Sequence, residues 1–141
     1  MTVHTINDLK IGQKSSFTKS ITETDVYLFA GISGDINPAH INEEYAKNTF
    51  FKHRIAHGIL SGALISAVIG VQLPGPGTIY ESQSLRFLAP VYFGDTITST
   101  VEVKEVLEEK NRVVLTTFCT NQSGIVVTTG EAVALPPKAK K

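Results

Sequence analysis

The chain has 141 residues, 42% hydrophobic and 18% charged, which suits one soluble globular domain with a real core and is too short for two. Lys plus Arg and Asp plus Glu number 13 each, so the overall charge recruits neither nucleic acid nor an anionic membrane, and any partner must be selected locally. The lone Cys119 excludes an internal disulfide and a cysteine metal motif, and the expected compartment is a reducing cytoplasm.

The opening "MTVHTINDLKIGQK" lacks the apolar core of a signal peptide. After a turn at Gly12, "SSFTKSIT" alternates loosely and is predicted as the first strand. "TETDVYLFAGIS" places Thr22 and Asp25 at capping-box spacing and should form a short helix ending at Gly34. "DINPAH" cannot continue that helix, because Pro38 fixes its own φ and pushes Asn37 away from α geometry. Asn42 is the predicted N-cap of a second short helix through "EEYAKN", and a third helix begins near His57. From Thr78 the pattern turns to strands, "TIYESQSLRFLAP", "TITSTVEVKEVLEE", "RVVLTTFCTNQ" and "IVVTTGEAVALP", with turn signals "YFGD", "EKN" and "QSG" between them. Short connections imply antiparallel pairing of consecutive strands. The closing "PPKAKK", residues 136–141, is expected to be a solvated tail, and with no internal repeat the chain reads as a single domain over residues 1–141.

Residues 59–73 form the longest apolar stretch, too short and too interrupted for a membrane span. In "HGILSGALISAVIGVQL" the large apolar residues Ile59, Leu60, Leu64, Ile65, Val68, Ile69, Val71 and Leu73 fall on nearly every side of a helical wheel, the pattern of a helix buried all round. Long antiparallel strands after such a helix suggest an α+β fold in which a curved sheet wraps it. A second pattern runs along the same helix. Gly58, Gly62, Ser66 and Gly70 recur at every fourth position, a stripe of small residues roughly 18 Å long at about 1.5 Å rise per residue. Such a stripe serves either close packing or a channel for a thin, extended ligand, and the sequence supports both.

Between the first two helices, "FAGISGDINPAHINEEYA" carries Asp35 and His40 in a loop stiffened by Asn37 and Pro38. A carboxylate and an imidazole held rigidly suit general acid–base catalysis, in which one water is gripped in a set geometry. The alternative is that Asp35 caps its own turn and His40 is an ordinary polar residue. Two ligands without a third do not complete a coordination shell, so no metal is expected. Ser66 lacks the surroundings of a nucleophile elbow, which argues against a Ser66–His40 nucleophile pair.

This stretch resembles the signature of the MaoC-like (R)-specific enoyl-CoA hydratases, also called hydratase 2. That signature has an aromatic residue, a small-residue turn, G-D-x-N-P, an aliphatic residue, His, and a small residue six positions on. Phe29, Ser33, Gly34, Asp35, Asn37, Pro38, His40 and Ala46 meet it, and Ala39 departs from the usual larger aliphatic. The similarity continues through "AHGILSGALISAVIG" and "LPGPGTIYESQSLRFLAPVYFGDTI". It implies a single hotdog fold, with the sheet wrapped around the helix from His57, assembled as a homodimer with active sites near the interface. It also implies a trans-2-enoyl-CoA substrate and an (R)-3-hydroxyacyl-CoA product, with coenzyme A as part of the substrate and no separate cofactor.

On that resemblance, Asp35 and His40 handle the water and its protons, while the Gly58 backbone N–H, at a helix start, polarises the thioester carbonyl. Ser66 and Ile69 are expected to contact the substrate, Ile69 near the end of the acyl tail, with Asn37 and Pro38 shaping the loop. An acyl-CoA thioesterase, a dehydratase acting on carrier-protein thioesters and a non-catalytic acyl-thioester binder are the competing expectations, since hotdog folds host several activities. His57 is read as shaping the helix start, Cys119 as a buried inert thiol, and His4 and His53 as surface residues. Arg54 and Arg86 are either solvated or in contact with coenzyme A phosphates.

Overall fold

The computed structural model describes residues 1–139; Lys140 and Lys141, the end of the expected tail, lie outside the described residues. Thr22 opens the first long helix as its sequence predicts. Its hydroxyl accepts the Asp25 N–H at 3.1 Å, and the Asp25 carboxylate accepts the Thr22 N–H at 2.9 Å, closing the capping box. Helix α1 then runs over Glu23–Ser33 and stops at Gly34, whose φ of 79° is left-handed and open to glycine without steric cost.

Two single-turn helices follow, α2 (Pro38–Ile41) and α3 (Glu43–Ala46), before the long α4 (Gly58–Val71). The sequence reading missed α2. Asn37 and Pro38 break the preceding helix, but they also start a new one: the Asn37 side chain accepts the Ala39 N–H at 3.1 Å, and Pro38 sits in the first turn, where its missing N–H costs nothing.

The strands are β1 (Lys14–Ser20), β2 (Ile79–Gln83), β3 (Arg86–Phe87), β4 (Thr96–Leu107), β5 (Arg112–Thr120) and β6 (Val126–Leu135). Their order is β1-β4-β5-β6-β2, with β3 also on β6, and every pairing is antiparallel. Strands β4, β5 and β6 pair consecutively as predicted. The stretch predicted as one strand after α4 is instead two pieces, and both join β6 rather than the next strand, β4. At the join the backbones come very close: a Cβ on Gly130 of β6 would collide with the Ser84 carbonyl oxygen, so only glycine fits there.

Along β4, Ile97, Ser99, Val101 and Val103 are buried at alternate positions, and along β5 Val113, Leu115, Thr117 and Cys119 do the same. Helix α4 packs on this face and touches both edge strands, β1 and β2, as well as β4 and β5. A flat sheet of five strands would span about 19 Å at about 4.8 Å per strand, wider than a helix of about 10 Å, so the sheet must curl around α4. This is the wrapped arrangement the sequence suggests.

One expectation about α4 is corrected. Its buried residues are Ser61, Leu64, Ile65, Val68 and Ile69, a one-sided i, i+3, i+4 series, whereas Ile59 is 50% and Val71 44% exposed. The sheet covers one face only, and the apolar residues opposite lie on the surface of the chain. The packed region also reaches further than predicted: Pro136 is buried and its carbonyl accepts the Asn111 side-chain N–H at 2.9 Å, so the expected tail does not begin there. Among the described residues, no helix is long and apolar enough to cross a membrane.

Candidate active site

The loop after α1 is fixed by short bonds from its own polar side chains. Ser33 Oγ donates to the Phe29 carbonyl at 2.7 Å and accepts the Asp35 N–H at 3.1 Å. Asp35 Oδ1 in turn accepts the Asn37 N–H at 3.2 Å. Such side-chain-to-backbone turns give an exposed loop a definite shape without a core beneath it. They also divide the labour of one carboxylate. Oδ1 holds the turn, as the capping alternative requires, and Oδ2 is left facing inward.

His40 occupies the last turn of α2 and is buried, with its Nδ1 donating to the Ile55 carbonyl at 2.7 Å. A carbonyl only accepts, so the proton of the neutral ring sits on Nδ1 and Nε2 is turned toward Asp35 Oδ2, 4.0 Å away. Ile55 is held from two sides: its N–H donates to the Ala39 carbonyl at 3.2 Å, and it bridges to Tyr92. The next N–H, of Ala56, donates to Val91 at 2.8 Å, so the chain enters α4 under tight control.

His57, at the N-cap of α4, is only 2% exposed, and its ring stacks on His40 with centroids 3.8 Å apart and planes 29° off parallel. Its Nε2 donates to the Asp35 carbonyl at 2.8 Å and lies 4.0 Å from Asp35 Oδ2. Its Nδ1 is buried with no hydrogen-bond partner among the described residues. Sequence reading gave this residue the helix start and missed its contact with both members of the Asp35–His40 pair.

The three side chains open onto a cavity of about 630 Å³, walled by Gly58 and Ser61 of α4, Phe87 of β3 and Thr128 of β6 among mainly apolar groups. The Gly58 N–H, in the first turn of α4, meets no acceptor among the described residues. A Cβ on Gly58 would press the Phe87 ring at 3.0 Å, and one on Gly62 would press Leu85 at 3.2 Å. Close packing thus explains the first two glycines of the small-residue stripe, while nothing lies within 4 Å of a Cβ on Gly70.

With His57, the pair becomes a trio whose ligand atoms lie within 4.8 Å of one another, a count that sequence reading put at two. The trio does not fit an ion. Stacked rings direct their in-plane lone pairs side by side rather than at one point, and both proton-bearing nitrogens are committed to carbonyls.

Ser66 and Ile69 do not line this cavity within the single chain. Ser66 lies on the exposed face of α4, and Ile69 is 1% exposed within the hydrophobic core. The face that meets the cavity runs through Gly58 and Ser61, and Ser61 is 4% exposed. Asn37 and Pro38 do shape the loop, through the start of α2.

Arg54 is not free to meet a phosphate. Its guanidinium bonds Glu23 at 2.7 Å, Glu43 at 3.2 Å and the Tyr27 hydroxyl at 2.9 Å, and it lies over the Phe93 ring. These partners, led by Glu23, raise its pKa further. Arg86 is exposed. His53 is exposed and bonds Glu43, whereas His4 is half-buried against the Pro74 carbonyl. Cys119 is buried as expected, and burial pushes its thiol pKa up.

A family model described as MaoC like domain matches residues 7–122. The chain is 55% identical over 135 residues to the (R)-specific enoyl-CoA hydratase of Rhodospirillum rubrum, covering 96% of this chain and 93% of that one. Among solved structures it is similar to the R-hydratase PhaJ1 of Pseudomonas aeruginosa in its unliganded form, with a TM-score of 0.91 and 52% identity over 96% of this chain and 86% of that one. It is also similar to the (R)-hydratase of A. caviae involved in PHA biosynthesis, with a TM-score of 0.89 and 43% identity over 92% of this chain and 98% of that one.

Proposed function

The chain belongs to the MaoC-like domain family and has its hotdog fold, and from that membership we propose that it is an (R)-specific enoyl-CoA hydratase. It adds water reversibly to a trans-2-enoyl-CoA to give the (R)-3-hydroxyacyl-CoA. The observation that carries this reading is the meeting of three groups at one apolar cavity: Asp35 Oδ2, His40 Nε2 4.0 Å from it, and the Gly58 N–H, which meets no acceptor among the described residues.

Water is a poor nucleophile toward the β-carbon of an enoyl thioester, and two kinds of help are needed. At 4.0 Å the two side chains are too far apart to bond each other, yet close enough for both to hold a single substrate water. As its oxygen bonds to C3, the pair takes one of its protons. The C2–C3 π electrons shift toward the thioester carbonyl, whose oxygen accepts the Gly58 N–H. The pair then returns a proton to C2. Both new bonds form on the face where Asp35 and His40 lie, which makes the addition syn. Coenzyme A enters as part of the substrate, and no step calls for a metal or a separate cofactor.

We further propose a homodimer working in the cytoplasm. Its support is the contrast between the sheet's outer strands. The β1 edge is polar and carries Lys14 and Lys19, a composition that resists edge-to-edge pairing, whereas β2 begins with Ile79, 62% exposed, beside the open apolar face of α4.

The test is purified protein mixed with crotonyl-CoA. Expected are loss of the conjugated enoyl absorbance and an (R)-3-hydroxybutyryl product by chiral analysis. An (S) product defeats the assignment, and release of free coenzyme A without hydration moves the protein to the thioesterases. Faster turnover of the same acyl group on a carrier protein makes it a carrier-protein dehydratase.

A further inference from the structure

We propose that His57 is a positioning residue, holding the acid–base pair and the oxyanion donor in one register; the proposal rests on the hydratase reading above. Three attachments converge on this side chain. Its Nε2–H fixes the Asp35 peptide through the carbonyl at 2.8 Å, its ring face lies on His40 at 3.8 Å, and its own peptide leads directly into Gly58. The Phe29 ring of α1, 4.8 Å away, completes its surroundings. One residue therefore touches both members of the pair on the loop side and begins the helix that carries the N–H on the other.

Its burial sharpens the argument. A polar ring nitrogen enclosed without a partner is a cost that an apolar side chain of similar size would avoid, and His57 Nδ1 is such an atom. The core gains nothing from it. The imidazole is retained for what its other nitrogen and its face do. Neither nitrogen is placed to exchange a proton with substrate, because Nε2–H is committed to a carbonyl and Nδ1 is enclosed. His57 thus acts through Asp35 and His40 rather than on the reacting atoms.

Two substitutions separate the attachments. His57→Phe keeps a flat ring for His40 and removes both the donor and the unpaired nitrogen. His57→Gln keeps a donor near the place of Nε2 and removes the ring. With crotonyl-CoA, His57→Phe is expected to lower kcat by about 10²-fold with KM unchanged, the scale of a misplaced reacting group, while its melting temperature is equal to or above that of the wild type. His57→Gln is expected to recover at least about tenfold of that loss, because the donor to Asp35 is restored. Backbone amide resonances report the same thing without turnover. The Ile36 amide, whose peptide carbonyl on Asp35 accepts the His57 Nε2–H, should stay near its wild-type position in His57→Gln and move in His57→Phe. Loss of kcat in step with loss of folded protein, or a higher KM at unchanged kcat, overturns the proposal. So does full activity in His57→Phe. A wild-type protein that fails to hydrate crotonyl-CoA defeats the hydratase reading by itself, and the Ile36 amide resonance then decides the role of His57.

Discussion

The two walls of the candidate active site are made rigid by opposite means. The loop wall, from Ser33 to His40, is largely exposed and takes its shape from hydrogen bonds of Ser33, Asp35 and Asn37 to the nearby backbone. The helix wall begins at Gly58 and takes its rigidity from Leu64, Ile65, Val68 and Ile69, sealed against the sheet. Chemistry and stability are thereby separated in the chain. On the proposed mechanism, a polar change in the loop is expected to remove function from a protein that still folds, whereas an apolar change in the helix is expected to remove the fold that function stands on.

The most severe break should come from the loop. Asp35→Asn and His40→Gln should each lower kcat for hydration by at least about 10²–10⁴, roughly 3–5 kcal/mol of barrier, with circular dichroism and melting close to the wild type. In the proposed mechanism the two act in one proton-transfer step, so the double variant should be hardly worse than the poorer single. Native-like structure with near-normal hydration in both singles would show that the loop's stiffness serves packing alone.

On the helix wall the loss changes kind. Ile65 is fully buried, and Ile65→Ala should cost about 2–5 kcal/mol in denaturant unfolding, while the folded fraction keeps its kcat. Gly58→Ala lies at the seam and should show both behaviours. Its new methyl group presses the Phe87 ring at 3.0 Å and crowds the approach to the N–H, so kcat should fall by about 10²-fold with a smaller loss of stability. The mildest effect belongs to Asn37→Ala. It removes the cap of α2 and should lower unfolding free energy by about 1 kcal/mol, read from the denaturant midpoint at constant slope.

The same division decides what was legible in the sequence. Loop chemistry is local: the Thr22–Asp25 box, the stop at Gly34 and the Asp35–His40 pair depend on residues a few positions apart, and all are readable from the chain. Helix α2 escapes a reading of Asn37 and Pro38 as breakers alone, because the same two residues also start helices. Packing is not local. Ile59 and Val71 are as apolar as Leu64, so a helical wheel without its sheet cannot say which face is covered, or that Ser61 lies against this cavity. The stack of His57 on His40 is hidden for a related reason, since it depends on how the segment before α4 is held at Ile55 and Ala56. The pairing of β2 and β3 with β6 had no signal in loop length, because the chain passes across the sheet to enclose the helix.

The close approach at Gly130 carries a consequence for how the gene can vary. The Ser84 carbonyl fills the space of any side chain at 130, and Ser84 leads within three residues to Phe87, whose ring rests against Gly58. A substituent on β6 would lift that stretch away from the sheet and loosen the ring over Gly58, the proposed oxyanion donor. In a library of random variants selected for activity, codon 130 should therefore tolerate as little change as the codons of the acid–base pair, although the glycine contributes no atom to the chemistry.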